Sequence, residues 1–250
     1  MVPSTVAGQA RPVSKFFRFP HTPHLAWLGE GTPRDDKVLP PAEARSLLTG
    51  DVVVEEKLDG ANLGISLTSD GTLRFQNRGQ YLVQPYSGQF QRLTSWVERN
   101  QPAVSGVLGE GQILFGEWCA ARHSVAYDQL PDWFLVFDVF DRVRREFWST
   151  SRRDVLAHRA GLQVVPLLFE GHTTLAALKD LVTTAKSRFC SGTIEGLVIR
   201  RQSAEWLTAR AKLVRSDFVQ NIGDHWRRRA IEWNRVQPVS VTASGEQVRP

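Results

Sequence analysis

One stretch constrains this chain more than any other: Val52-Val-Val-Glu-Glu-Lys57-Leu-Asp-Gly60-Ala-Asn62-Leu-Gly-Ile-Ser66. A β-branched run leads into a lysine, Asp59-Gly60 follows, and Leu63, Ile65 and Leu67 then alternate with other residues. Asp-Gly between two strand-like runs predicts a β-hairpin, with Lys57 at its mouth beside Glu55, Glu56 and Asp59. A lysine held at a strand end is a candidate covalent nucleophile. Its ordinary pKa is about 10.4, so attack near neutral pH requires burial or nearby cations to destabilise the ammonium. On a solvated hairpin the same residues would be a surface ion pair worth little, so the rest of the chain has to decide between the two.

The chain has 250 residues, 42% hydrophobic and 23% charged, enough for one large domain with a buried core. There is no apolar run long enough for a membrane span and no charged-then-apolar leader at the N-terminus. Cys119 and Cys190 alone make neither a disulfide framework nor a zinc site. An intracellular, cytoplasmic protein is the expectation. The net charge of +5 favours an anionic partner such as a nucleotide or nucleic acid.

Taken in order, residues 1–14 read as a flexible N-terminus. Phe16, Phe17 and Phe19 precede Pro20 and Pro23, so this segment is extended. His21 and His24 read as loop histidines that cap or pack. Pro40 to Gly50 reads as a short helix, Thr72 to Gly79 as a strand, and Gln89 to Asn100 as an amphipathic helix with Phe90, Leu93, Trp96 and Val97 on its core stripe. Strands are expected at 112–118 and 132–141. Helices are expected from Ser149 to Ala160 and Thr173 to Phe189, each with a Ser or Thr cap. Between them, 162–169 is a strand interrupted by Pro166, hence an edge. Glu195 to Arg200 and Trp206 to Val214 complete a final strand pair, and Phe218, Ile222 and Trp226 mark a helix from Ser216 to Trp233. Strands and helices follow no regular alternation, which predicts an α+β fold of largely antiparallel sheets.

Lys57-Leu-Asp-Gly60 resembles motif I, K-x-D-G, of the covalent nucleotidyltransferases: the DNA ligases, RNA ligases and capping enzymes. Phe115-Gly116-Glu117 is similar to their motif III, Phe134-Leu-Val-Phe137-Asp138 to motif IIIa, and Glu195-Gly196-Leu-Val198-Ile199 to motif IV. Arg210-Ala-Lys212 stands where motif V, usually K-x-K, belongs. Each pattern is weak alone; five in the right order across one domain length are jointly specific. Asn62, five residues after Lys57, and the run from Glu117 to Phe134 look most like the RNA ligases of the phage T4 RNA ligase 2 type. The segment Phe19-Pro-His21-Thr-Pro-His24-Leu resembles the N-terminal part of many bacterial RNA-ligase-like proteins, which implies that it walls the nucleotide pocket.

The resemblance implies a nucleotidyltransferase (ATP-grasp-like) domain of antiparallel sheets flanked by helices, spanning 15–235 and followed by a tail at 236–250. It implies ATP and Mg²⁺ or Mn²⁺ as cofactors and a lysyl-AMP intermediate on Lys57. Lys57, Arg210 and Lys212 would be the catalytic residues, the two cations neutralising the α-phosphate and lowering the Lys57 pKa. Glu56 would lie at the adenine edge, Phe137 and Val198 would cover the two adenine faces, and Arg78 would contact ribose or phosphate. Asp59, Gly60 and Asn62 complete the nucleotide-binding set. Glu117 would contact the ribose hydroxyl, and with Glu195 would hold a hydrated divalent cation. Arginine at 210 departs from the usual lysine and binds phosphate through a planar fork.

The implied partners are RNA ends, a 5′-phosphate and a 3′-hydroxyl, with a nicked duplex or an end-binding partner protein as further possibilities. Lys212 is followed by only 38 residues, too few for the OB-fold usual in DNA ligases and capping enzymes. Arg227-Arg-Arg229 reads equally as a phosphate contact or a solvated face. A DNA ligase or guanylyltransferase, and a catalytically silent nucleotide- or RNA-binding module, are the alternative readings.

Overall fold

The computed structural model describes residues 15–30, 33, 37–220 and 230–237. Two sheets carry the fold. In the first, β1 (Val52–Lys57) lies between β8 (Leu167–Gly171) and β9 (Gly196–Gln202), and β10 (Leu207–Val214) pairs with β9, all antiparallel. The second runs β3 (Leu73–Gln76), β2 (Ala61–Leu67), β4 (Gln112–Trp118), β5 (Phe134–Asp141), β6 (Glu146–Phe147), with β7 (Gln163–Val164) parallel to β5. The α+β class with largely antiparallel sheets is what the chain adopts. Among the described residues no helix is long and apolar enough to cross a membrane.

Each sheet has its own core. Val52 and Val54 of β1 pack with Leu197, Ile199, Ala211 and Leu213 against α1 (Pro41–Leu47) and α4 (Leu175–Thr184). The second sheet is covered by α2 (Leu93–Val107) and α3 (Thr150–Arg159), with Trp96, Trp118 and Phe134 fully buried. Truncating any of these rings would cost about 3–5 kcal/mol. Ser149 accepts from the Arg152 amide and caps α3, and Gly161 at φ +65° closes it in the left-handed region.

Several expectations give way to tertiary context. β1 and β2 do not form a hairpin; they belong to different sheets. The Asp59 carboxylate accepts from the Ser124 and Val125 amides at 2.6 and 2.8 Å, and the Asp59 amide donates to the Tyr127 hydroxyl at 2.9 Å. The turn is therefore bound to the loop after β4, and the strands splay into separate ladders. Similarly, the strand interrupted by Pro166 divides: β7 stays in the second sheet while β8 becomes the edge of the first. The Pro166 carbonyl accepts from Glu56 at the crossing.

Helix ends differ as well. α2 begins at Leu93 and continues through Pro102, because burial of Val104 and Leu108 outweighs the one ladder bond a proline removes. α4 stops at Thr184, since Ala185 is extended and Ser187 turns back to bond Glu56. The C-terminal helix α5 is described over Ser216–Gln220 only. Trp233 is not helical, and bridges Ala121 instead. Val236, assigned to the tail, bridges Leu130. Ile222, Trp226 and Arg227-Arg-Arg229 lie outside the described residues.

Candidate active site

Lys57 ends β1, and strand pairing sets Gly196 opposite it. Glu195, one residue before, is thereby brought to the amine: Nζ donates to both carboxylate oxygens at 2.7 Å. A Cβ on Gly196 would meet the Leu213 carbonyl at 2.5 Å, so glycine there lets β10 close on β9. That closure sets Lys212 opposite Val198, which in turn faces Glu55 across the sheet.

The other wall comes from the second sheet. Asn62 of β2 pairs with Glu117 of β4. The β4–β5 register jumps from Phe115↔Asp138 to Gly116↔Val136, leaving Phe137 as the extra residue of a bulge. A bulge re-aims its side chain, and Phe137 faces the cavity between the sheets. The N-terminal segment closes the third side. Lys212 donates its amide to the Pro23 carbonyl, and Leu25 donates back to Lys212, carrying Phe19, His21 and Thr22 to the rim.

The resulting cavity is about 350 Å³, within the range of small-ligand sites. Lys57, Glu56, Gly60, Asn62, Arg78, Glu117, Phe137, Val198, Arg210 and Lys212 all line it. Glu195 joins through Lys57, whereas the Asp59 side chain turns away to the 124–125 amides. A larger cavity of about 920 Å³ lies along β8 and the start of α3; it shares Glu55 and Val165 with the first but reaches neither the lysine nor Glu117.

The electrostatics overturn one expectation. Burial alone would lower the Lys57 pKa, but the Glu195, Glu117 and Asp59 carboxylates outweigh it and hold it well above the ordinary lysine value. In this state the net shift is upward, opposite to the lowering expected from Arg210 and Lys212. The acids bear the opposite cost: burial pushes Glu117 up to about 8 and Glu195 up to about 7, despite the neighbouring ammonium. Burial thus favours the neutral forms of Glu117 and Glu195 even beside the ammonium. Among the described residues no group of three or more His, Cys, Asp or Glu could hold a metal ion; Glu117 and Glu195 supply oxygen donors of the kind that Mg²⁺ or Mn²⁺ takes with retained waters.

Arg210 also differs from the role expected of a phosphate-facing cation. Its guanidinium is engaged by Asp138 and lies 4.4 Å from the Phe19 and Phe147 ring centroids. Arg78 donates to the Phe19 carbonyl at 3.3 Å. Glu56 accepts from the Ser187 hydroxyl at 2.6 Å and the Arg188 amide at 3.2 Å, and burial raises its pKa.

Sequence reasoning missed the ion network beneath the cavity. Arg200 donates to Glu55 at 2.5 Å and Asp138 at 2.7 Å, and Arg153 pairs with Glu55 at 2.7 Å, all four groups nearly fully buried. The signal was present: Glu55 and Arg200 interrupt near-continuous apolar strands, and buried charges demand partners.

Across the chain, residues 50–214 match the family model described as RNA ligase. The chain belongs to the RNA ligase family. No curated protein matches it. Among solved structures, an apo mutant of Naegleria gruberi RNA ligase matches with TM-score 0.58 at 14% identity over 86% of this chain and 60% of that one. A mutant of the same ligase with ATP and Mn matches with TM-score 0.58 at 16% identity, covering 83% of this chain and 64% of that one. A third, with AMP and Mn, gives 0.55 at 15% identity, over 82% and 64%. These likenesses establish the RNA ligase fold, and the chain spans about 60% of the length of the first of those structures.

Proposed function

We propose that this chain is an ATP-dependent RNA ligase that joins 5′-phosphate and 3′-hydroxyl RNA ends through a lysyl-AMP intermediate. The observation that carries the reading is the single cavity into which the Lys57 amine, Glu117, Phe137 and Lys212 converge, with Glu195 on the amine.

In the first step Lys57 Nζ forms a bond to the α-phosphorus of ATP, the bond to the β-phosphate oxygen breaks, and pyrophosphate leaves. Negative charge gathers on phosphate oxygens, so catalysis is mainly positioning and cationic stabilisation. Lys212 supplies a cation from β10. Phe137 and Val198 enclose the adenine ring, with Glu56 at its edge, where a carboxylate bonded to Ser187 retains lone pairs for an amino group. Glu117 accepts from ribose, Arg78 and Asn62 complete the nucleotide contacts, and Arg210, tied to Asp138, shapes the floor. Glu195 and Glu117 would hold Mg²⁺ or Mn²⁺, which would supply further positive charge beside the phosphates; carboxylates engaged in that way would no longer favour the protonated form of Lys57. AMP then passes to an RNA 5′-phosphate, and the 3′-hydroxyl displaces it.

Incubation with α-labelled ATP and Mn²⁺, followed by peptide mapping, tests the reading. Label on Lys57, absent in Lys57→Ala, supports it. Label from GTP instead of ATP would shift the assignment to capping, and no label from either would leave a nucleotide- or RNA-binding module. Sealing assays on nicked duplex and single-stranded RNA, with and without DNA strands, identify the ends joined.

A further inference from the structure

The segment 230–237 has no role in the reaction just described, yet it is bonded to the loop that holds the nucleophile's turn. Trp233 bridges Ala121, and Asn234, 4% exposed, donates Nδ2 to the Cys119 carbonyl at 2.8 Å and its amide to the Ala120 carbonyl at 2.9 Å. Its Oδ1 accepts from the Tyr127 amide at 3.0 Å. Arg235 donates its amide to the Tyr127 carbonyl, and Leu130 donates its amide to the Arg235 carbonyl and accepts from the Gln237 amide. The loop from Cys119 to Leu130 is thus fastened from above at both ends.

The same loop grips Lys57-Leu-Asp-Gly60 from below. Tyr127, 2% exposed, accepts the Asp59 amide through its hydroxyl, and the amides of Ser124 and Val125 hold the Asp59 carboxylate. One tyrosine therefore joins Asn234 to Asp59: its amide end meets the asparagine and its hydroxyl end meets the turn two residues after Lys57. Loop residues fastened on one side only would be expected to drift, since a loop carries few apolar contacts of its own.

We infer that Asn234 is a positioning residue for Lys57, acting through Tyr127 and Asp59 to fix the turn that aims the amine. The inference rests on the lysyl-AMP reading above for its catalytic consequence, but not for its structural one. A buried asparagine satisfying three loop groups could equally serve fold stability alone, so the decisive readout has to be local to the turn.

Hydrogen–deuterium exchange on the full chain supplies it, comparing the peptide covering residues 57–62 with one covering α4. In Asn234→Ala, exchange at 57–62 rises roughly tenfold, the scale of one lost hydrogen bond, while α4 is unchanged. Tyr127→Phe, which removes the hydroxyl and keeps the ring, gives the same pattern, and the double variant is no worse than either single one because both break one line of contacts. With α-labelled ATP, both variants lower the rate of lysine labelling about tenfold with KM for ATP within about twofold, as misaimed chemistry and intact binding require. Exchange at 57–62 equal to the parent in Asn234→Ala overturns the inference, as does acceleration that extends equally to α4. Should Asn234→Ala fail to fold, Tyr127→Phe decides by the same two peptides. A parent protein that takes no label refutes the lysyl-AMP reading and leaves the exchange comparison standing.

Discussion

Lys57 and Glu195 are 138 residues apart in the chain, yet the amine sits 2.7 Å from both oxygens of that carboxylate. The pairing of β1 with β9 brings them together. The glutamate holds the nucleophile in place and simultaneously keeps it protonated. Replacing it with Glu195→Ala frees the amine but removes the anchor and the proposed metal ligand. Labelling by ATP is expected to slow about 10²-fold, measured as the rate of lysyl-AMP formation at saturating Mn²⁺. A rate equal to the parent would remove Glu195 from the metal site.

The pH dependence of metal use follows from the two acids. Glu117 is held up to about 8 and Glu195 up to about 7, chiefly by burial. A protonated carboxyl is a poor ligand, so the Mn²⁺ concentration giving half-maximal labelling falls as pH rises through 7 to 8. Because both folded-state values lie above the ordinary 4.5, the metal-free folded chain binds more protons than the unfolded chain between these limits. The contribution of these two acids to stability therefore declines with rising pH over that window. Titrations of Mn²⁺ from pH 6 to 9, with melting curves of the metal-free protein alongside, check both signs.

Gly60 has no room for a side chain. An added Cβ would lie 2.6 Å from the Trp118 carbonyl and 3.1 Å from Glu117 Cγ. Gly60→Ala must push the turn off β4, at a cost of about 1–3 kcal/mol in stability. The displaced amine should label about 10²-fold more slowly. Urea unfolding and labelling on the same preparation separate the two effects.

Arg200 is 2% exposed between Glu55 and Asp138. Arg200→Ala leaves Glu55 to Arg153 alone and Asp138 to Arg210 alone beside a buried void, and should destabilise the chain by about 3–5 kcal/mol. Denaturant unfolding reads this directly. A loss below about 1 kcal/mol would mean that the acids had been neutralised or hydrated.

Phe137 stands free of the β4–β5 register at its bulge and edges against Phe19, with ring centroids 5.3 Å apart. Stacking of an aromatic ring on a base is worth about 1–3 kcal/mol. Phe137→Ala should therefore raise KM for ATP by about five- to a hundredfold with a smaller change in kcat, and Phe137→Tyr should keep most of the affinity.

The strands carrying the motifs were legible because they are nearly all apolar with one charge at an end: β1 before Lys57, β4 around Glu117 and β9 after Glu195. Their order along the chain was enough to group the site. What the sequence did not disclose was pairing between distant segments. Asp59-Gly60 has the local chemistry of a hairpin, and only the amides of Ser124 and Val125, more than sixty residues on, pull it into a crossing between sheets. The bulge at Phe137 is likewise a matter of register against β4, invisible in an apolar run that reads the same on both faces. Arg210 looked like a phosphate-facing cation because its partner, Asp138, lies 72 residues away. The spacing of Phe218, Ile222 and Trp226 predicts a helix ending at Trp233, which bridges Ala121 instead.

Since β1 belongs to one sheet and β2 to the other, residues 58–60 are a spacer whose count sets the gap across the cleft. One residue more or fewer would strain the crossing or, where β2 slipped by one in its ladders with β3 and β4, turn every β2 side chain to the opposite face, carrying Asn62 out of the cavity and Leu63 into it. Substitutions within the spacer change its chemistry; insertions and deletions there change which half of the chain faces the ligand. At Gly60 the spacer is constrained in identity as well, because a side chain there would meet the Trp118 carbonyl.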